Sequence, residues 1–221
     1  MQERVKVAIC VSSGGSCKSG FVVSLASLTP YIAQVMMLPG VTHQSFSLKV
    51  AESSSICDNR QLLVKAALDD DCTHVCFIDD DMVFPRDAIH RLMRWRQPIV
   101  AANYRKRIPN GAFVSHKPAE EGGYVQVPTT ATSTSLEEVS SIGFGLCLIE
   151  IGVFKRLPQP WFEFRWMEDS QSHIGEDIVF CYACTEAGIP IYIDHEVSRE
   201  VLHVGSFPYS WDSNDGAPAS S

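Results

Sequence analysis

The apolar run Val75-Cys76-Phe77-Ile78 stops abruptly at three consecutive aspartates, Asp79-Asp80-Asp81. A short run of this kind reads as a strand buried on both faces, and such strands belong to sheets covered by helices. In an open α/β sheet the C-terminal end of a strand opens onto the ligand crevice. Adjacent carboxylates in that position repel one another unless a cation sits among them. Carboxylate oxygens suit hard divalent ions such as Mg²⁺ or Mn²⁺, which often bridge protein carboxylates to a substrate phosphate. The alternative is a solvated acidic turn, although such a turn rarely follows a buried strand so abruptly.

The rest of the chain supports a sheet of this type. A buried first strand is predicted over 5–11, followed by a small flexible loop over 12–16. Helical spacing covers 21–34, with Pro30 as a kink or break. A strand follows over 45–50, then a helix over 60–68 with Asp58 or Asn59 as its cap. Pro85 opens a further helix that runs to about Trp95, ahead of the apolar strand 99–102. This alternation predicts an α/β fold with a mostly parallel central sheet flanked by helices. Beyond Tyr104 the pattern changes. Short strands are expected over 112–115 and 124–127, a Thr/Ser loop over 129–135 and a strand-like segment over 140–149. Glu176 to Glu186 reads as a helix ended by Gly188 and Pro190, and 189–197 as a strand. With no repeat and no linker, 1–212 is expected to form one domain. The Ser/Ala/Gly/Pro-rich tail 213–221 is expected to be disordered.

Composition narrows the function classes. The 221 residues suffice for a single sizeable core. No apolar stretch is long enough to span a membrane, and the N-terminus lacks the apolar core of a signal peptide, so a cytoplasmic location is expected. Several of the eight cysteines, among them Cys10, Cys76, Cys147 and Cys181, fall inside apolar segments, as buried thiols do in a reducing compartment. Cys181 and Cys184 have C-x-x-C spacing without a second pair, which suits thiols better than zinc. Gly14 and Lys18 lack the spacing of a phosphate-binding P-loop. A net charge of −8 argues against a broad nucleic-acid-binding face. One local exception is the run of Arg86, Arg91, Arg94, Arg96, Arg105, Lys106 and Arg107. It reads either as a charged helix face plus a basic turn, or as a surface for nucleotide phosphates or a polyanionic acceptor.

Phe77-Ile78-Asp79-Asp80-Asp81-Met82-Val83-Phe84-Pro85 resembles the D-x-D segment of GT-A fold glycosyltransferases related to family 2. Gly175-Glu176-Asp177, Ala187 through Asp194, and then His203 are similar, in order, to the second half of such enzymes. The resemblance runs from about Val5 to His203 and extends to small phage-type members, which would place the protein in a host cytoplasm. It implies a single GT-A domain and a metal-dependent transfer of a sugar from a nucleotide-diphospho-sugar, UDP-sugars being favoured, to an acceptor hydroxyl. The acceptor is left open between a glycan and a modified DNA base. It also implies roles for particular residues. Asp79, Asp81 and His203 would hold Mn²⁺ or Mg²⁺, with Asp80 as the middle residue facing the donor. Val11, Ser12 and Ser13 would hold the nucleotide base and ribose, with Glu52 as a ribose carboxylate. Asp177 would be the base that activates the acceptor in an inverting enzyme, with Glu176 its neighbour.

Each assignment has a plainer alternative. Glu176 and Asp177 at a helix start complement its dipole. A histidine beside an apolar strand can be purely structural. Asn59 and Arg60 either reach a base or phosphate or lie on the surface. Gly143 permits close backbone approach to a sugar, and Trp161 and Phe162 either stack on a sugar or pack in the core. Two other function classes share these features: a nucleotidyl- or phosphotransferase with the same metal–carboxylate logic, and a binding module without turnover.

Overall fold

The structure, a computed structural model, describes residues 5–36, 44–108, 111–168, 171–205 and 208–212. The expected tail 213–221 lies outside the described residues. In chain order the elements are β1 (Val5–Ser13), α1 (Ser19–Met36), β2 (Gln44–Glu52), α2 (Ile56–Asp69), β3 (His74–Asp79), β4 (Met82–Val83), α3 (Ala88–Met93), β5 (Ile99–Ala101), β6 (His116–Pro118), β7 (Tyr124–Gln126), β8 (Leu136–Val139), β9 (Leu146–Glu150), α4 (Ile151–Arg156), β10 (Arg165–Met167), β11 (Ser172–Ile174), α5 (Glu176–Glu186), β12 (Ile191–Asp194), α6 (His195–Ser198), β13 (Leu202–Val204) and β14 (Pro208–Tyr209).

Seven strands form the central sheet in the order β2-β1-β3-β9-β5-β12-β8. β1, β2, β3, β5 and β12 point the same way, and β9 and β8 run against them. The sheet is therefore mostly parallel and flanked by helices, the α/β class expected. The alternation of each strand sends its residues to two apolar layers. From β3, Val75 and Phe77 join α2, α4 and α5 on one face. Cys76 and Ile78 join α1, α3 and α6 on the other. Burial on both faces explains why this strand is apolar without interruption. The chain leaves β1 for β2 on one side and returns to β3 on the other, so the carboxyl ends of β1 and β3 flank a topological switch point, where ligands bind in such sheets.

Several boundaries differ from expectation. The cap of α2 is Ser55, whose side chain accepts from Asp58 N–H at 3.2 Å, and neither Asp58 nor Asn59 serves as cap. α1 runs through Pro30 without a break. The helix expected from Pro85 begins only at Ala88. The strand expected over 112–115 is reduced to a bridge between Arg105 and Phe113, with β6 just beyond it. The strand expected over 189–197 is split into β12 and the short helix α6, where Asp194 accepts from Glu196 and Val197 N–H and turns the chain.

Candidate active site

Alternation divides the three aspartates. Asp79 continues the side of Val75 and Phe77 and so faces α2, where Arg60 Nη2 meets its carboxylate at 3.1 Å. The chain then turns, and Asp81 enters the pairing of β4 with β13, in which Met82 opposes His203 and Val204 N–H donates to Asp81 O at 2.8 Å. Asp80, between them, contacts the Ser13 hydroxyl and the Gly14 N–H, and burial with its acidic neighbours raises its carboxyl. Its carbonyl accepts from Lys18 N–H at 2.9 Å.

His203 and Asp81 form the first centre of the site. His203 Nδ1 lies 2.9 Å from Arg105 O. A carbonyl can only accept, so Nδ1 carries the hydrogen and Nε2 presents a lone pair in the neutral ring. That Nε2 faces Asp81 Oδ1 at 3.5 Å. Two lone pairs held this way need a positive centre between them, either a proton or a cation. Asp81 Oδ1 is buried and makes no hydrogen bond, and the other oxygen, Oδ2, meets Arg107 at 2.6 Å. Burial opposes ionisation of Asp81, but His203, when it carries a proton on Nε2 as well, and Arg107 hold its carboxyl below the usual range. This pair of donors, one oxygen and one nitrogen with its second nitrogen fixed by a carbonyl, fits two ligand positions of a divalent ion.

The implied three-residue metal group is not assembled. Among the described residues no group of three or more His, Cys, Asp or Glu side chains is placed to hold a metal ion. Asp79 stands apart because Arg60 has claimed it. An open cleft of about 690 Å³ beside the Asp81–His203 pair is lined by Lys18, Lys106, Arg107, Ile108, His203 and Gly205.

Arg60 organises the second centre. It is 2% exposed, pairs with both Asp79 and Glu176, and lies over the rings of Phe77 and Phe144 at 5.8 and 5.0 Å. A buried guanidinium is tolerated only when well paired, since removing one partner from such a pair costs about 3–5 kcal/mol. Here one cation serves Asp79, Glu176 and Asp177, so it remains charged. Burial meanwhile raises the carboxyls of Glu176 and Asp177 despite Arg60. Asp177 is partly exposed, and its Oδ1 accepts from Ile178 N–H at 2.8 Å.

Other predicted residues fall elsewhere. Arg60 and Asn59, read as reaching a ligand or the surface, are both buried and committed to protein partners. Asn59 Nδ2 donates to Ser12 Oγ at 3.1 Å, while its Oδ1 accepts from Ser53 Oγ at 2.7 Å, so it ties the ends of β1 and β2 together. Val11 is buried, Ser12 and Ser13 are half-buried, and Glu52 is exposed opposite Ser13. Gly143 is buried against Tyr104. A Cβ there would lie 2.4 Å from Tyr104 Oη, so the glycine makes room for that ring. Trp161 and Phe162 are core residues, with Trp161 Nε1 donating to Phe154 O at 2.9 Å and Phe162 stacked on Phe180. The basic run is dispersed. Arg91 pairs with Glu200 at 2.6 Å and Arg94 with Glu196 at 2.7 Å, which joins α3 to α6 and its following turn. Arg105 is held by Trp211 O, Gly111 O and the Phe113 ring. Only Lys106 and Arg107 of that run line the cleft.

Tyr104 is the residue that sequence reading missed. It is buried, accepts from Gly145 N–H at 2.9 Å, and its ring meets that of His203 at 5.0 Å. It also feels the charges of Asp79, Asp177 and Arg60, so it touches the first centre through His203 and lies within electrostatic reach of the second. Its signal was the pair Gly143 and Gly145, which needs a bulky partner close by.

No protein-family model matches the sequence, and no curated protein matches it. The fold is similar to that of the crystal structure of A197 from STIV, with a TM-score of 0.61 at 14% identity over 98% of this chain and 97% of that one. A looser similarity links it to the catalytic domain of Drosophila beta1,4galactosyltransferase 7 in complex with xylobiose, with a TM-score of 0.48 at 13% identity over 91% of this chain and 71% of that one. At 14% identity the similarity to A197 is one of fold.

Proposed function

We propose that the protein is a GT-A glycosyltransferase that takes a sugar from a nucleotide-diphospho-sugar and requires a divalent ion. The observation that supports this best is the Asp81–His203 pair at the switch point of the sheet, opening onto a cleft lined by Lys18, Lys106 and Arg107. A bound Mn²⁺ or Mg²⁺ would supply Lewis-acid neutralisation of the leaving diphosphate. Asp81 and His203 would hold that ion, and the three cations would bind the diphosphate oxygens. Ser12, Ser13, Asp80 and Glu52, around the ends of β1 and β2, would bind the nucleoside. Asp177, its carboxyl raised by burial above that of an ordinary aspartate, would accept the proton of the acceptor hydroxyl. Glu176 and Arg60 would hold the segment that carries it.

The test is a panel of nucleotide-diphospho-sugars in thermal-shift assays, with and without Mn²⁺, on wild type and Asp81→Asn. A ligand that binds only the folded state raises the melting temperature. The expected result is a shift that needs both Mn²⁺ and Asp81. An equal shift in Asp81→Asn would remove the metal assignment. Analysis of the nucleotide released separates a sugar transfer, which frees a nucleoside diphosphate, from a nucleotidyl transfer, which frees pyrophosphate.

A further inference from the structure

In this structure Asp81 already has a counter-ion. Arg107 holds one of its oxygens at 2.6 Å, and the other, which faces His203, has no hydrogen bond. The two side chains differ in freedom. Asp81 is 10% exposed, whereas Arg107 is 49% exposed at the lip of the cleft.

The backbone that carries Arg107 is firmly anchored. Its neighbour Arg105 gives its carbonyl to His203 Nδ1, and the Arg105 guanidinium donates to Gly111 O and Trp211 O. Lys106 N–H donates to Ala112 O at 2.9 Å. One short segment thus positions the histidine and presents Arg107, whose side chain is half exposed.

The same cleft holds Lys18 and Lys106, neither of which has a carboxylate partner among the described residues. A diphosphate entering there meets three cations, one of them occupied. A guanidinium pairs with phosphate through two parallel hydrogen bonds, a fit that a single carboxylate oxygen does not offer. Arg107 therefore gains by exchanging Asp81 for the diphosphate, and Asp81 is then free to ligate a cation.

We propose that Arg107 is an exchange latch, neutralising Asp81 in the resting protein and releasing it to the divalent ion when it pairs with the ligand's diphosphate. The proposal rests on the metal-dependent reading above and adds a residue that couples the two binding events. Metal alone must displace a cation from Asp81 and binds weakly. Metal with diphosphate does not.

The test is a set of calorimetric titrations of wild type, Arg107→Met, Arg107→Lys and Asp81→Asn with Mn²⁺ alone, with inorganic pyrophosphate alone, and with pyrophosphate at saturating Mn²⁺. Thermal melts confirm that each variant is folded. The latch predicts changes of opposite sign in Arg107→Met. Mn²⁺ alone should bind about tenfold more tightly and pyrophosphate about tenfold more weakly, within the usual span of coupling between two ligands. Arg107→Lys, which keeps the charge but loses the fork, should fall between. Unchanged Mn²⁺ affinity in Arg107→Met, or weakening of both ligands together, would overturn the latch while leaving the metal site standing. If wild type binds Mn²⁺ no better than Asp81→Asn, with or without pyrophosphate, the metal reading itself fails and the latch goes with it.

Discussion

A Cβ at Gly175 would lie 2.6 Å from Asp177 Oδ1, so the glycine is what allows this carboxylate to fold back over the start of α5. There it accepts from Ile178 N–H, beside Arg60 and Asp79. Burial raises its carboxyl, Arg60 lowers it, and Asp79 raises it again, with a net upward shift. If Asp177 is the base, Asp177→Asn should lower turnover by about 10²-fold or more, the usual range for loss of a general base. Donor affinity should barely change. The pH profile carries the same information. A base works only when deprotonated, and a raised carboxyl takes up its proton at a higher pH than an ordinary aspartate. The acid limb of kcat/KM should therefore lie above the ordinary value near 3.8 and disappear in the variant. Near-normal turnover in Asp177→Asn would leave only the helix-start role for this residue.

At the scale of elements, two opposite ends of the sheet do different work. The carboxyl ends of β1 and β3 carry the candidate site. Near the other end, Asp70, just past α2, meets Lys6 of β1 at 2.6 Å and Lys49 of β2 at 3.0 Å. Hydrogen bonds from Lys6 and then Lys49 hold its carboxyl down at about 2, against an ordinary value of 3.8. A group depressed in the folded state stabilises it above the unfolded value and loses that effect as pH falls through the folded one. Wild type should thus melt slightly above Asp70→Asn at neutral pH, by about a degree or two, because exposed pairs contribute little. The difference should narrow as pH drops below 4 towards 2. A difference independent of pH would show that the ion pairs are not its source.

At the scale of the whole molecule, the two apolar layers are opposite faces of the same strands. Ala8 and Cys10 of β1 serve one layer while Val7, Ile9 and Val11 serve the other, and β9 divides its residues in the same way. Neither layer can unfold while the other keeps its strands. Calorimetry should therefore show one transition whose van't Hoff and calorimetric enthalpies agree. Two resolved transitions would mean that part of the chain folds separately. The charge distribution also reads best at this scale. The net charge is −8, yet Lys18, Lys106 and Arg107 converge on one cleft, a local concentration of positive charge that suits a small anion. Arg91 and Arg94 are paired with glutamates and lie outside that cleft.

The sheet class, the two-sided burial of β3 and the location of the acidic turn were legible in the chain because period-two alternation and strand–helix succession are local properties. The helix opening at Glu176 was legible for the same reason. What only the tertiary structure decided was the choice of partners. Asp79 and Asp81 are two residues apart, yet one is paired to Arg60 from α2 and the other set against His203 from β13. Gly143 and Trp161 carry plausible ligand chemistry, and packing assigned both to the interior. Tyr104 was overlooked because nothing nearby in sequence marks it. Its role comes from a slot made by glycines about forty residues later in the chain. A side chain's chemistry is set by its residue type, but the charges that tune it come from whichever segments the fold brings within a few ångströms, and their sequence separation says nothing about that distance.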